Sequence, residues 1–557
     1  MKSLPRDHRD RDTLLVTQLA AGVSILAFMI YLRHGSLLLY GDAVAHINIA
    51  RRVFDSKTPG LLQLGTVWLP LPHLLMVPFL VSKVFWQTGI GGSIPSMVAF
   101  VLGVSGIFRL VGSALRFHSE GSGTARVAPW FAALIYGANP NLLYLQSTAM
   151  TESLYLALFI WAVVHFADFV EVRKQSEGRK AARFSRVRSP RSLLKSGLCV
   201  AGACLTRYDG WFLAAIMCAA LFVFLSRTPQ AERHWYAGLR KFVLLAAAAP
   251  ALWLAYNAVI YRNPLEFANG PYSARAIEQK TATPGNPSHP GANNPAVAFS
   301  FFLKSAELNV APVSIVQRLW VALLLLGTAM TLLFDRRMWP LLLLLAPVPF
   351  YMLSISYKGV PIFLPDWWPH SYYNLRYGLQ LLPAIAVFVA LFTHFAMGLA
   401  ISRKQKTAIG LAVLSLVAGS YIFLWYQRPV CFREAWVNSR ARIALETALA
   451  QNLRKLPEGS TLLMYVGDHA GAIQDAGIPF SRVINEGNHR PWKKPSDPDG
   501  LWERALANPQ MYADYVVASE GDQVAKQVQK INLTSMVVIH TAGEPEVTIY
   551  WTHHQEQ

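Results

Sequence analysis

Long apolar stretches separated by short polar segments dominate the chain up to residue 427. Most of these stretches approach the roughly 17–25 residues that a helix needs to cross a bilayer. Eleven stretches are predicted to cross: 14–34, 94–114, 128–145, 152–169, 196–206, 211–226, 242–261, 313–334, 338–356, 377–397 and 408–427. The pattern therefore predicts an α-helical polytopic membrane protein with about eleven transmembrane helices.

Two apolar regions do not fit a single crossing helix. The region 196–226 is too long for one span and is broken by a polar turn at 206–210, which predicts two helices joined at that turn. The stretch 68–86 contains three prolines, and a proline inside a helix removes a backbone hydrogen bond. We expect 68–86 to lie along the outer face of the membrane, or to dip into it, without crossing.

Composition and charge support a membrane protein and exclude a nucleic-acid partner. Only 15% of the 557 residues are charged, whereas soluble domains carry about 25%. The net charge of +19 is unevenly placed, because residues 428–557 hold 13 basic and 15 acidic side chains. The basic excess lies between the apolar stretches, where Lys and Arg set membrane orientation. The four cysteines give no disulfide framework.

The distribution of Lys and Arg predicts which side each loop faces. Segment 170–195 carries nine basic and two acidic residues, which places it and the N-terminus in the cytoplasm. The predicted location is thus the plasma (inner) membrane, as a multi-pass protein with an extracytoplasmic C-terminal domain. The segments predicted on the outer side are 35–93, 146–151, 207–210, 262–312, 357–376 and everything after 427.

Beyond residue 427 the pattern changes to that of a small soluble α/β domain. Residues 436–453 have helical period, 522–528 are helix-like, and three stretches are strand-like, at 460–466, 514–518 and 534–540. We therefore predict a transmembrane domain over 1–427 and an extracytoplasmic α/β domain over 428–557.

Acidic residues adjoin apolar helix ends on the predicted outer side. Asp42 and His46 would share one helix face, four residues apart, as a general base with its partner or as metal ligands. Asp42 could equally cap a helix and His46 lie on the surface. Glu152 could be an acid favoured by a helix N-terminus or the second acid of a site.

Basic and aromatic residues on the same side predict contact with an anionic lipid headgroup. Arg207 could pair with Asp209 or bind a lipid-linked phosphate through its forked donors. Arg376 begins an apolar stretch, where a charge needs a partner or a ligand. The predicted substrate-binding residues are His46, His73, Arg207, Asp209, Tyr272, Arg275, His370, Tyr373 and Arg376.

Five short motifs, taken in order, resemble the GT-C superfamily of integral-membrane glycosyltransferases. They are GDAVAH at 41–46, GTVWLPLPHLLMVPF at 65–79, NPNLLYLQSTAMTESLY at 139–155, LTRYDGW at 205–211 and NLRYGLQLLP at 374–383. The chain is most similar to the branch with protein O-mannosyltransferases and lipid A aminoarabinose transferases. The resemblance covers about residues 14–400.

The resemblance implies an inverting transfer of a sugar from a polyprenyl-phosphate carrier to a protein, lipid or glycan acceptor at the outer membrane face. In that family the first outer loop supplies the catalytic base, which matches Asp42, and a second acid matches Glu152. Arg376 and Arg207 match the basic residues that hold the lipid phosphate. In-line displacement then requires Asp42 and Arg376 on opposite sides of the sugar.

One departure from the family leaves the metal question open. Mannosyltransferases commonly have two adjacent acids in the first loop, whereas Ala43 follows Asp42 here. A divalent ion stays an option, with His46, His73 and Glu152 as candidate ligands. No other cofactor is predicted.

Two other classes of protein compete with the enzyme. A transporter or lipid flippase with an external binding domain would place its charges near the bilayer midplane, whereas the charges here adjoin outer helix ends. A non-catalytic glycan-binding protein that keeps the same scaffold is the third interpretation.

Overall fold

The computed structural model is mostly helical and ends in a small β-sheet. It describes residues 6–115, 124–176, 182–227, 233–270, 273, 276, 288–467, 469–488 and 500–552. The α-helices in the membrane part are α1 (Arg6–Arg33), α2 (Gly41–Arg52), α3 (Pro70–Leu80), α4 (Lys83–Thr88), α5 (Ile90–Ala114), α6 (Thr124–Gly137), α7 (Pro140–Gln146), α8 (Glu152–Ser176), α9 (Ala182–Cys204), α10 (Asp209–Ser226), α11 (Arg233–Tyr261), α12 (Glu266–Asn269), α13 (Pro295–Val310), α14 (Ser314–Phe334), α15 (Pro347–Ser356), α16 (Leu382–Leu399) and α17 (Arg403–Tyr426). The later helices are α18 (Val430–Leu453), α19 (Ala470–Ala476), α20 (Leu501–Ala507) and α21 (Gln523–Val528).

The helices follow the apolar pattern of the sequence. Within the described residues, nine helical segments are long and apolar enough to cross a membrane. The two predicted spans outside that set, 128–145 and 196–206, also lie on helices, at α6 with α7 and at α9. The prediction of an α-helical polytopic protein is confirmed, and a single large apolar core runs through the helices.

The breaks between helices can be compared with two of the predicted helix boundaries. The polar turn at 206–210 separates α9 from α10, as predicted. The prediction of one helix over 128–145 is wrong, because the chain breaks between α6 and α7. Asn139 caps the new helix by accepting from the amides of Asn141 and Leu142, and Pro140 occupies the first helical turn, where no amide donor is needed.

The proline-rich stretch 68–86 forms two short helices, α3 and α4. Helix α3 has 11 residues, so its length is about 16 Å at 1.5 Å per residue, which is too short to cross a bilayer. This length agrees with the prediction that 68–86 does not cross. None of the four cysteines forms a disulfide.

The C-terminal sheet has five strands in the order β2-β1-β3-β5-β4. Strands β1 and β2 are parallel, as are β1 and β3, whereas β5 pairs antiparallel with β3 and β4. The strands are β1 (Leu462–Met464), β2 (Val483–Ile484), β3 (Tyr515–Ser519), β4 (Thr534–Ile539) and β5 (Val547–Trp551). Sequence analysis predicted β1, β3 and β4 and did not predict β2, β5 or helix α13.

Buried amides join this C-terminal part to the first predicted outer segment. The Asn48 side-chain amide donates to Gln474 Oε1 over 2.8 Å, and Gln474 in turn donates to the carbonyl of Trp86 over 2.7 Å. Trp86 Nε1 closes the ring by donating to Asn48 Oδ1 over 2.9 Å. The boundary at 427/428 lies between α17 and α18, but the division into two domains stays a prediction.

Candidate active site

Four carboxylates and two guanidinium groups meet at the starts of several helices. We call these six side chains the ion cluster: Asp42, Glu152, Arg207, Asp209, Arg376 and Glu434. Asp42 lies in the first turn of α2, and Glu152 and Asp209 are the first residues of α8 and α10. A helix N-terminus favours negative charge, which is a physical reason for acids at these positions.

Arg376 is the centre of the ion cluster and contacts three carboxylates. Its Nη2 donates to Asp42 over 2.6 Å, its Nε to Glu152 over 3.2 Å, and its Nη1 to Glu434 over 3.0 Å. The Arg376 side chain is only 7% exposed. A buried charge needs such partners, so each contact constrains where the guanidinium lies. The ring of Tyr40 also lies under the guanidinium, 5.1 Å from it.

The backbone that carries Arg376 is fixed by hydrogen bonds and close packing. It begins the 3₁₀ helix Leu375–Leu381, which packs against α13. Ser305 and Asn309 of α13 each donate a side-chain hydrogen bond to the carbonyl of Leu375, both over 2.8 Å. A Cβ at Gly378 would lie 2.5 Å from the backbone nitrogen of Ala306, so only glycine allows this approach.

Arg207 forms the second half of the ion cluster. Its Nε donates to both oxygens of Asp209, over 3.1 and 3.2 Å, so the predicted ion pair is present. Its Nη1 donates to Glu152 over 3.2 Å, and its Nη2 to the hydroxyl of Tyr351 over 3.0 Å. Glu152 therefore bridges the two arginines, as a fully buried carboxylate.

Asp42 differs from the other carboxylates because it faces open space. Its side chain is 39% exposed, whereas those of Glu152 and Glu434 are 0% and 1% exposed. Arg376 binds Asp42 Oδ2, and among the described residues no group bonds Oδ1. Asp42 also lines a cavity of about 750 Å³ between α2 and the C-terminal sheet, together with Trp68, Arg442, Tyr465, Glu520 and Glu544.

The contact between Asp42 and Arg376 corrects one expectation. Sequence analysis predicted these two side chains on opposite sides of a sugar, and the structure joins them directly over 2.6 Å. The predicted outer segments that carry Asp42, Glu152, Arg207 and Arg376 do meet at one end of the helices, as the hydrogen bonds among them require.

The two predicted histidines pair with each other. His46 Nδ1 and His73 Nε2 are 2.8 Å apart, so one hydrogen lies between them and α2 is joined to α3. Burial, with smaller contributions from Arg376 and Arg207, lowers the pKa of His46 to about 3. Burial also lowers the pKa of His73, so both rings are neutral near pH 7.

The three candidate metal ligands do not form a ligand set. His46 Nδ1 and His73 Nε2 bond each other, and Glu152 Oε1 accepts from two arginines. In the part of the chain that the structure describes, no group of three His, Cys, Asp or Glu side chains could hold a metal ion.

Of the four other predicted binding residues, His370 lies away from these contacts, Tyr373 lies close enough to Asp42 for that charge, after burial, to raise its pKa to about 12, and two cannot be placed. The imidazole of His370 is exposed and bonds the carbonyl of Pro365, within its own loop. The Tyr373 side chain is 46% exposed, and its backbone pairs with Phe363. Tyr272 and Arg275 lie outside the described residues.

Glu434 is the member of the ion cluster that sequence analysis missed. It lies in α18, in the tail that was assigned to a separate domain. The available signal was an acid four residues into a helix that begins with the apolar run Val430-Cys431-Phe432, directly after the last predicted span. An acid in such a place needs a partner, as Arg376 does.

Comparison with solved structures identifies the fold. ArnT from Cupriavidus metallidurans is similar in its apo state with a TM-score of 0.56 and 13% identity, covering 97% of this chain and 98% of that chain. The same protein bound to undecaprenyl phosphate also has a TM-score of 0.56, with 14% identity over 95% of this chain and 97% of that one. No family model and no curated protein matches the sequence. The likeness spans nearly all of both chains, and the protein has the GT-C fold that its sequence motifs predicted.

Proposed function

We propose that the protein is a polyprenyl-phosphate-dependent glycosyltransferase of the plasma membrane. Two observations support the proposal. The fold is that of ArnT, which has been solved with undecaprenyl phosphate bound. The ion cluster presents one half-exposed carboxylate, Asp42, to a cavity large enough for an acceptor.

The placement of Asp42 carries the proposal. An acceptor hydroxyl is a weak nucleophile near neutral pH and needs a base within hydrogen-bond reach. Asp42 Oδ2 is fixed by Arg376, which leaves Oδ1 to take a proton from a hydroxyl in the cavity. We assign Asp42 the role of base, Arg376 the role of orienting it, and Glu152 the role of holding the two arginines.

The proposed reaction is an inverting displacement. Asp42 removes the hydroxyl proton, the acceptor oxygen forms a bond to the anomeric carbon, and the bond from that carbon to the lipid phosphate breaks. Polyprenyl phosphate leaves with the bonding electron pair, and positive charge nearby stabilises it. The three carboxylate contacts use three of the five N–H donors of Arg376, so a phosphate contact would use one of the other two, on Nη1 or Nη2.

The cavity beside Asp42 is the proposed acceptor site. Its walls come from α2, from α18 and from loops of the C-terminal sheet, so the tail completes the site. Trp68 and Tyr465 offer aromatic faces on which a sugar ring can stack. By the distribution of Lys and Arg, this side of the membrane is extracytoplasmic.

The test is to incubate purified protein with a panel of polyprenyl-phosphate sugars and acceptors and to measure released polyprenyl phosphate. We expect Asp42→Asn to reduce release by at least about a hundred-fold, because general-base catalysis contributes 10²–10⁴-fold. Asp475→Asn is the matched control, since Asp475 is 48% exposed and pairs only with the surface residue Arg454 among the described residues.

Two outcomes would overturn the proposal. Wild-type release in the Asp42→Asn variant would remove Asp42 from the role of base. Movement of a labelled lipid across vesicles without release of polyprenyl phosphate would indicate the transporter instead.

A further inference from the structure

Glu434 contacts both the side chain and the backbone of the segment that carries Arg376. Its carboxylate accepts from the amide of Asn374 over 3.1 Å, from the amide of Leu375 over 2.7 Å and from Arg376 Nη1 over 3.0 Å. Glu434 is 1% exposed. One buried carboxylate therefore satisfies three donors from consecutive residues.

The backbone at this point needs such support. Asn374 adopts φ +58°, in the left-handed region, directly before the 3₁₀ helix Leu375–Leu381. The first amides of a helix have no partner within it, and a carboxylate that accepts from them stabilises the helix start. Removing the charge of Glu434 would therefore release the turn as well as one edge of the guanidinium.

The helix that carries Glu434 also holds the segment that carries Asp42. The carbonyl of Cys431 accepts from the hydroxyl of Tyr40 over 2.9 Å. Arg442 Nη2 donates to the carbonyls of Leu38 and Leu39, both over 3.0 Å. Helix α18 thus contacts Arg376 through Glu434, and it contacts the residues just before α2 through Cys431 and Arg442. One helix therefore determines the distance between the base and its arginine.

We propose that Glu434 is a positioning residue of the transfer reaction, a role that rests on the proposed function. It acts through Arg376: by fixing the guanidinium and its backbone turn, it sets the orientation of the Asp42 carboxylate toward the acceptor. Glu434 itself is not among the residues that line the cavity. Its position in the tail makes the C-terminal part necessary for the geometry of the site.

The variants Glu434→Gln, Glu434→Asp and the exposed control Glu458→Gln test this role. Misplacement by about 1 Å can cost a hundred-fold in rate. We expect Glu434→Gln to lower kcat by about ten- to a hundred-fold with less than about a three-fold change in KM for the lipid donor. Glu434→Asp keeps the charge and should recover part of the loss, whereas Glu458→Gln should match wild type.

A second measurement follows the geometry without activity. Amide hydrogen exchange of peptides covering 373–381 should be faster in Glu434→Gln than in wild type, because the amides of Asn374 and Leu375 bond different carboxylate oxygens and glutamine keeps only one oxygen. An unchanged kcat, or unchanged exchange, in Glu434→Gln overturns the positioning role. If wild-type protein releases no polyprenyl phosphate while exchange at 373–381 responds as expected, the proposed function fails and the contact made by Glu434 stands.

Discussion

At the scale of single residues, Arg376 pairs with three of the four carboxylates of the ion cluster. Three buried or half-buried carboxylates depend on one guanidinium, and two of them, Glu152 and Glu434, are almost fully removed from water. Transferring a carboxylate out of water is costly unless a cation pairs with it. Arg376 is therefore needed for stability as well as for the orientation of Asp42.

We predict that Arg376→Ala lowers the free energy of unfolding by about 3–5 kcal/mol, because buried Glu434 loses its paired cation and buried Glu152 loses one of its two. The measurement is denaturant unfolding of the purified protein in detergent. Arg454→Ala is the control: its partner Asp475 is exposed, and a surface ion pair contributes at most about 1 kcal/mol. Equal losses in the two variants would contradict the central role of Arg376.

Local sequence predicted five of the six residues of the ion cluster and missed one for a physical reason. Asp42, Glu152, Arg207, Asp209 and Arg376 each adjoin an apolar stretch, where a charge is conspicuous. Glu434 lies 58 residues after Arg376. It reaches the arginine only because α18 packs against the 3₁₀ helix Leu375–Leu381, so the local sequence can indicate that the acid needs a partner but not which residue that partner is.

At the scale of elements, the length of the apolar stretches predicted the long helices well, whereas the short strands were predicted poorly. Each of the eleven predicted spans lies on helical segments, although 128–145 is divided between α6 and α7, because crossing a bilayer requires a long apolar run. Strand β2 has two residues, and β5 is defined by its antiparallel partners β3 and β4. Those pairings involve residues far apart in the sequence, so the run 547–551 does not by itself predict a strand.

The histidine pair that joins α2 to α3 predicts acid sensitivity. The pKa of His46 is lowered to about 3, so the folded protein keeps this ring neutral while the unfolded chain takes up a proton near pH 6.5. Below pH 6.5 the unfolded state binds more protons, and the free energy of unfolding falls by about 1.4 kcal/mol per pH unit for this group. The loss continues until the pH reaches the folded pKa.

We therefore expect the stability of His46→Gln to depend less steeply on pH between 6.5 and 5 than that of wild type. Denaturant unfolding at several pH values measures the slope. His370→Gln, which removes an exposed imidazole outside this contact, is the control variant. The same slope in His46→Gln and wild type would show that the buried ring does not titrate as its environment requires.

At the scale of the whole molecule, the cavity beside Asp42 exists only because the C-terminal sheet lies over α2. A ring of three hydrogen bonds among Asn48, Trp86 and Gln474 holds the two parts together. The acceptor, in our proposal, enters between these parts, whereas the lipid donor approaches from the membrane. Donor binding and acceptor transfer are therefore separable by substitution.

A bulky side chain placed in the cavity tests this separation. Ala45 lies on α2 and lines the cavity, so we predict that Ala45→Trp obstructs the acceptor and lowers sugar transfer by about ten-fold or more, since displacement of reacting groups by about 1 Å can cost a hundred-fold. Binding of polyprenyl phosphate to the purified protein should change little, because the substitution lies on the acceptor side of Asp42. Ala444→Trp introduces the same side chain on the exposed face of α18, outside this cavity, and should leave both measurements at wild-type values. If Ala45→Trp leaves transfer unchanged, or weakens transfer and lipid binding equally, the acceptor does not reach Asp42 through this cavity.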